Sequence, residues 1–152
     1  MKKNGWLMAA GVLTAGAALM HIAIIFGGAQ WYRFFGAGEK MAQMAEQGLA
    51  YPAQLTGVIA LVLFSWALYG FSGAGAIPRL PFMRAALGLI SFVFLLRGLF
   101  GVYAVLFFNT PFIQGLGHSQ MFLLVSSAIC LLYGLCYAIG TWQVWTRLSP
   151  PK

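Results

Sequence analysis

Four long apolar runs limit what this chain can fold into more than any other feature. They cover residues 6–27, 53–71, 85–108 and 121–145, and Arg97 is the one charged residue inside them. A helix of about 20 apolar residues spans the ~30 Å hydrocarbon layer of a membrane and satisfies its own backbone hydrogen bonds. The runs lack the alternating polarity of membrane β-strands. They therefore predict an all-α integral membrane protein with four transmembrane helices.

The composition supports the same class. Of the 152 residues, 61% are hydrophobic and 7% are charged, so one soluble core of this size cannot hide the apolar surface. We predict a single membrane domain over residues 1–152. The first run follows two lysines, as a secretory signal does, but it is too long for a signal core, and we expect it to remain as a helix.

The basic residues are distributed unevenly between the two sides of a four-helix chain. Only Arg33 and Lys40 lie on the side of the connections 28–52 and 109–120. The others lie at the termini or in the connection 72–84: Lys2, Lys3, Arg79, Arg84, Arg147 and Lys152. This asymmetry predicts that both termini are cytoplasmic. The net charge of +7 then indicates attraction to anionic membrane lipid, and it does not indicate nucleic-acid binding.

The connections predict how the helices are arranged. Because 72–84 and 109–120 are short, an up-down bundle is favoured. The longer outer loop 28–52 contains a short helical pattern over 39–47, with Glu39 near its positive N-terminal end. We expect this helix to lie at the membrane interface or to cap the bundle, on a face formed by Met41, Met44 and Ala45.

Arg97 is the anomaly among these residues. A guanidinium near the bilayer centre costs at least ~2.5–3.5 kcal/mol and keeps its proton, so we expect it to face the bundle interior or a wet cavity. No carboxylate lies in any of the four runs. Three arrangements are possible. Arg97 snorkels about one turn towards an interface and bonds carbonyls, water, Gln54, Tyr103 or Tyr137; or it pairs with a loop carboxylate, Glu39 or Glu46; or it binds an anionic ligand.

Several polar side chains are predicted to gather on the outer side. His21 lies in the outer third of the first helix, Gln54 opens the second, and His118 opens the fourth. These residues predict a polar pocket for a lipid or small amphiphile, such as a quinone or fatty acid, with an anionic or carbonyl head group. The predicted site consists of Arg97, His21, Gln54, Glu46, His118 and Tyr137.

Other interpretations use the same residues. The small and polar stripes of the helices also suit packing, either within this chain, in a homo-oligomer, or in a larger membrane complex whose carboxylate pairs with Arg97. Haem b held by His21 and His118, Cu(I) held by methionines, and an enzyme using His21 are further alternatives. The methionines considered for copper are Met20, Met41, Met44 and Met121. No known catalytic motif is present, so we predict no catalytic residue.

Three segments resemble small bacterial inner-membrane proteins of uncharacterised function. They are WYRFFGAGE at 31–39, FSWALYGFSGAG at 64–75 and LVSSAICLLYGLCYAIGTW at 124–142. The resemblance implies a four-helix membrane fold and an inner-membrane location, and it implies no catalytic or binding residue.

Overall fold

The protein is all-α in its computed structural model, which describes residues 3–107 and 119–148. These residues form five α-helices and a final 3-10 helix, Trp145–Leu148: α1 (Gly5–Phe34), α2 (Glu39–Glu46), α3 (Tyr51–Ala74), α4 (Met83–Phe107) and α5 (Ser119–Val144). Four of the helices, α1, α3, α4 and α5, are long and apolar enough to cross a membrane. The all-α class and the four long apolar helices are thus confirmed, and so is a short helix in the first connection.

The first helix is longer than its apolar run. The predicted span 6–27 ends where Gly28 leaves helical geometry, at φ 65° and ψ −153°. Beyond this break the chain turns helically again as far as Phe34. Part of the predicted loop 28–52 is therefore helical, and the break gives this last turn a direction of its own.

Hydrogen bonds at one end of the molecule show how the long helices run. Asn4 caps α1 through its side chain, its backbone N–H donates to the carbonyl of Ala74 (3.1 Å), and its Nδ2 donates to Gln143 (2.9 Å). Arg84, in the first turn of α4, donates to the carbonyl of Trp145 at 2.7 Å. The starts of α1 and α4 thus lie beside the ends of α3 and α5. Successive long helices are therefore antiparallel. We call the end of the molecule where α1 and α4 begin and α3 and α5 end the terminal end.

Small residues let the helices approach closely. The most extensive packing is between α1 and α3 and between α4 and α5. A Cβ atom added to Gly70 of α3 would lie only 2.9 Å from the Cα of Gly11 in α1. Such close backbone approach is how membrane helices gain packing energy in a solvent as apolar as their own side chains.

Tyr137 ties three helices together at the centre of the protein. It is fully buried in α5, and its hydroxyl lies 2.9 Å from the carbonyl oxygen of Trp66 in α3 and 3.2 Å from Oγ1 of Thr14 in α1. Phe94 of α4 stacks on its ring, with centroids 5.9 Å apart. Tyr137 was predicted to belong to a ligand site, but its hydroxyl is engaged in this core.

Candidate functional site

Arg97 lies on the exposed edge between α4 and α5. Its Nη1 donates to Oγ of Ser127 at 3.3 Å, and its Nη2 lies 3.5 Å from Oγ of Ser126. Both serine hydroxyls donate to the carbonyl of Leu123, so they are oriented to accept from the guanidinium. Arg97 was expected to face the bundle interior or a wet cavity, but its side chain is exposed and does not face the interior. Its partners among the described residues are neutral hydroxyls.

Gly101 makes room for this arrangement. A Cβ added to Gly101 would overlap Oγ of Ser127 and would lie 2.8 Å from Nη1 of Arg97. The Arg97 side chain therefore reaches one helical turn towards the C-terminal end of α4. Helical side chains tilt towards the N-terminus by default, so the space at Gly101 and the hydroxyl of Ser127 set the direction here. Reaching towards the helix end is the snorkelling that lowers the cost of a membrane arginine.

The two carboxylates of the chain are both bound by another arginine. Arg33, in the last turn of α1, holds Glu39 through Nε (2.9 Å) and Nη2 (2.7 Å), and it holds Glu46 through Nη1 (2.6 Å). Hydrogen bonds from the guanidinium keep the pKa of each carboxyl below its ordinary value. Glu39 and Glu46 therefore form ion pairs with Arg33, and neither forms the hypothesised ion pair with Arg97.

The other predicted site residues lie apart from Arg97. His21 is half-buried, and its Nδ1 lies 2.8 Å from the carbonyl oxygen of Ala17 in its own helix, so that nitrogen must carry the proton to donate. Gln54 is exposed in the first turn of α3. His118 lies outside the described residues. Within the described ranges no hydrogen bond or ion pair joins Arg97 to His21, Gln54, Glu46 or Tyr137.

A second polar group escaped the sequence prediction. Tyr32 lies in the aromatic-rich segment 31–35, yet it is 2% exposed, and its hydroxyl has no hydrogen-bond partner in the described structure. It packs in an apolar cluster with Ile24 and Ala42. Ala42 is the buried centre of the α2 face, with Met41 and Ala45 packed beside it. Met41, Met44 and Ala45 are all half-buried. The burial of Tyr32 could not be predicted from the sequence, because four of the five residues in segment 31–35 are aromatic and the pattern does not indicate which ring packs against α2.

Comparison with other proteins leaves the function to be argued from this geometry. No protein-family model matches the chain, and neither a curated protein nor a solved structure matches it significantly. The resemblance to small inner-membrane proteins stays a prediction. Within the described residues, no three His, Cys, Asp or Glu side chains come together.

Proposed function

We propose that this protein is a four-helix bundle of the bacterial inner membrane, with both termini in the cytoplasm, which binds the anionic head group of a lipid or fatty acid at Arg97. The observation that carries the proposal is an exposed guanidinium whose described partners are two neutral hydroxyls. A guanidinium has five N–H donors, so three of the five are left for a ligand. Carboxylate and phosphate groups match its planar fork and would neutralise its charge.

The charges at the two ends support the orientation. At the end of the molecule opposite to the terminal end, which we call the loop end, the charges of Arg33 and Lys40 are balanced by Glu39 and Glu46. The other basic residues outside the spans that the structure describes belong to the terminal end: Lys3, Arg79, Arg84 and Arg147. No Asp or Glu lies in the sequence before Glu39 or after Glu46. An excess of Lys and Arg marks the cytoplasmic side of a membrane protein. The loop end is then periplasmic.

The depth of Arg97 fits the outer leaflet. Arg97 lies ten residues before Phe107, the last described residue of α4, which corresponds to about 15 Å of helix. Its side chain extends over Gly101 towards that end of α4. The guanidinium thus approaches the head groups of the outer leaflet, where local thinning of the bilayer can bring a phosphate or carboxylate into reach.

The role of the remaining predicted ligand residues changes in this proposal. Arg97 holds the head group, with Ser126 and Ser127 fixing the direction of the guanidinium. His21 and Gln54 belong to α1 and α3, and nothing in their described contacts links them to Arg97, so they are not needed for the anion. Glu46 serves Arg33 instead of covering the ligand.

Lipid-dependent stability of the purified protein tests the proposal. In neutral detergent, added phosphatidylglycerol should raise the unfolding temperature of the wild type more than phosphatidylcholine does, because a ligand that binds only the folded state stabilises it. Arg97→Leu should remove this difference, and Arg97→Lys should retain part of it. Lys40→Leu removes one positive charge elsewhere and should behave like the wild type. An undiminished phosphatidylglycerol effect in Arg97→Leu would refute the proposal.

An alternative function is that of a subunit in a membrane assembly. The same exposure that opens Arg97 to lipid would present it to a carboxylate on a neighbouring helix, from a partner or from a second copy of this chain. Purification from native membranes separates the two functions. One membrane protein that co-purifies with the wild type and with Arg97→Lys, but not with Arg97→Ala, would favour the subunit.

A further inference from the structure

Tyr32 is buried at the loop end with its hydroxyl unpartnered. It is 2% exposed, and the described structure offers the hydroxyl neither a donor nor an acceptor. Buried hydroxyls almost always find a partner, because leaving one unpaired costs free energy. The cluster around Tyr32 is apolar, with Ile24 and Ala42 buried in it and Ala29, Phe35, Met41 and Ala45 packed against it. Ligand sites are mostly apolar, and the few polar groups in them fix the orientation of the ligand.

Arg33, the next residue, fastens α2 over this cluster. It binds Glu39 and Glu46, the first and last residues of α2. Glu39 suits the positive N-terminal end of a helix, but Glu46 stands at the C-terminal end, where the helix dipole opposes a carboxylate. Its pairing with Arg33 explains a glutamate at that place. One side chain thus holds both ends of α2.

The connections on both sides of α2 bend at glycines. Gly36 ends α1 at φ 69°, in a turn where the Ala37 N–H donates to the carbonyl of Tyr32 (2.9 Å). Gly48 follows α2 at φ 71°. These are left-handed conformations that glycine adopts freely and that it leaves as easily. With an ion-pair latch in the middle and a glycine at each connection, α2 has the parts of a lid.

We propose that the Tyr32 hydroxyl is a binding position for the carbonyl oxygen of a neutral, largely apolar molecule, and that α2 is the lid that opens to admit it. The hydroxyl donates to the carbonyl, and the apolar cluster receives the chain. A charged ligand is disfavoured because the guanidinium of Arg33, the next residue in the chain, is already bound by two carboxylates. This site lies on α1 and α2 and does not depend on lipid binding at Arg97.

A pair of probes that differ in one oxygen tests the site. The full-length protein in detergent is titrated with 2-undecanone, and with n-undecane as the probe that has no oxygen, and affinity is taken from the rise in unfolding temperature. The wild type should bind the ketone more tightly than the alkane. Tyr32→Phe keeps the ring and should weaken ketone binding about tenfold, as expected for one hydrogen bond, without changing alkane binding. Tyr51→Phe alters an exposed tyrosine and serves as the matched control.

The stability of Tyr32→Phe without ligand keeps this test decisive. Removing an unpartnered hydroxyl should leave the unfolding temperature unchanged or higher. A clear fall would mean that the hydroxyl is already bonded in the protein, and it would overturn the proposal. Equal affinity of the wild type for ketone and alkane would overturn it as well.

The lid is tested through its latch. Arg33→Gln should make ketone association several-fold faster and should accelerate amide hydrogen exchange in residues 39–46. Lys40→Gln removes the same charge beside the latch and should leave both rates unchanged. Identical association rates in Arg33→Gln and the wild type would remove α2 from the proposal. Arg97→Leu should not affect ketone binding, and Tyr32→Phe should not affect the phosphatidylglycerol response, so the two sites can fail separately.

Discussion

Nη1 of Arg97 and Oγ of Ser127 lie 3.3 Å apart on neighbouring antiparallel helices, in space left by a glycine. Ser127 is fully buried and donates to Leu123 at 2.6 Å, so its hydroxyl is fixed as an acceptor. The hydroxyl orients the guanidinium but does not neutralise it. The charge therefore stays available at the helix surface, and the proposal that Arg97 binds an anion rests on that exposure.

Gly101→Ala should disturb this pair. The added methyl would overlap the Ser127 hydroxyl and crowd Nη1 of Arg97. We expect a loss of about 1–3 kcal/mol in stability, the usual range for overpacking, and a smaller phosphatidylglycerol effect. Unfolding in detergent with and without the lipid measures both. Gly88→Ala, on the same helix, meets nothing within 4 Å and is the control. If the two variants behave alike, Gly101 is not needed to place Arg97.

Gly70→Ala should loosen the contact between α1 and α3. Its methyl would lie 2.9 Å from the Cα of Gly11 and 3.1 Å from the Tyr137 hydroxyl, and backbone atoms cannot move aside as a flexible side chain can. We expect a lower unfolding temperature and a loss of about 1–3 kcal/mol. Gly16→Ala, on the neighbouring helix, adds a methyl to open space and should be neutral or slightly stabilising. A neutral Gly70→Ala would contradict the close crossing.

The spans were predictable because length and apolarity encode a membrane helix directly. The position of Arg97 in its helix followed from the same count. Its partner could not be predicted in the same way, because Ser127 lies opposite Arg97 only through the register of α4 against α5. That register is set where Gly98 packs on Leu131 and Gly134 packs on Leu95. One sequence does not give that register.

The loop end shows the same limit. The sequence placed Arg33, Glu39 and Glu46 on one side of the membrane but could not say which charges meet. The turn at Gly36 decides it, since it brings α2 back against the last turn of α1. The hydrogen-bond partner of His21, by contrast, depends only on its own helix, because the carbonyl of Ala17, four residues earlier, lies within reach of its ring.

Tyr137→Phe should weaken the joint between three helices. It removes the hydroxyl that lies near Trp66 and Thr14 and leaves the stacked ring in place. Side-chain hydrogen bonds between membrane helices contribute about 0.6 kcal/mol on average and up to about 1.7, so we expect a loss in that range. Tyr51→Phe, at an exposed position, should lose nothing. Chemical unfolding in mixed micelles measures the free energy of unfolding of each variant. Equal values for Tyr137→Phe and Tyr51→Phe would show that the Tyr137 hydroxyl does not stabilise the protein.

Acid should release α2. Hydrogen bonds from Arg33 hold the pKa of Glu39 and Glu46 below the ordinary value of 4.5, so the ion pairs stabilise the attachment of α2 above that pH and are lost as the pH falls through the lowered pKa. Amide hydrogen exchange over residues 39–46, corrected for its intrinsic pH dependence, should stay slow at neutral pH and rise only below about 4.5. Exchange in Tyr51–Ala74 should not follow it. Arg33→Gln should exchange fast in α2 already at pH 7, with no further acid step. Release of α2 at pH 5 or above would mean that some group other than these two glutamates controls it.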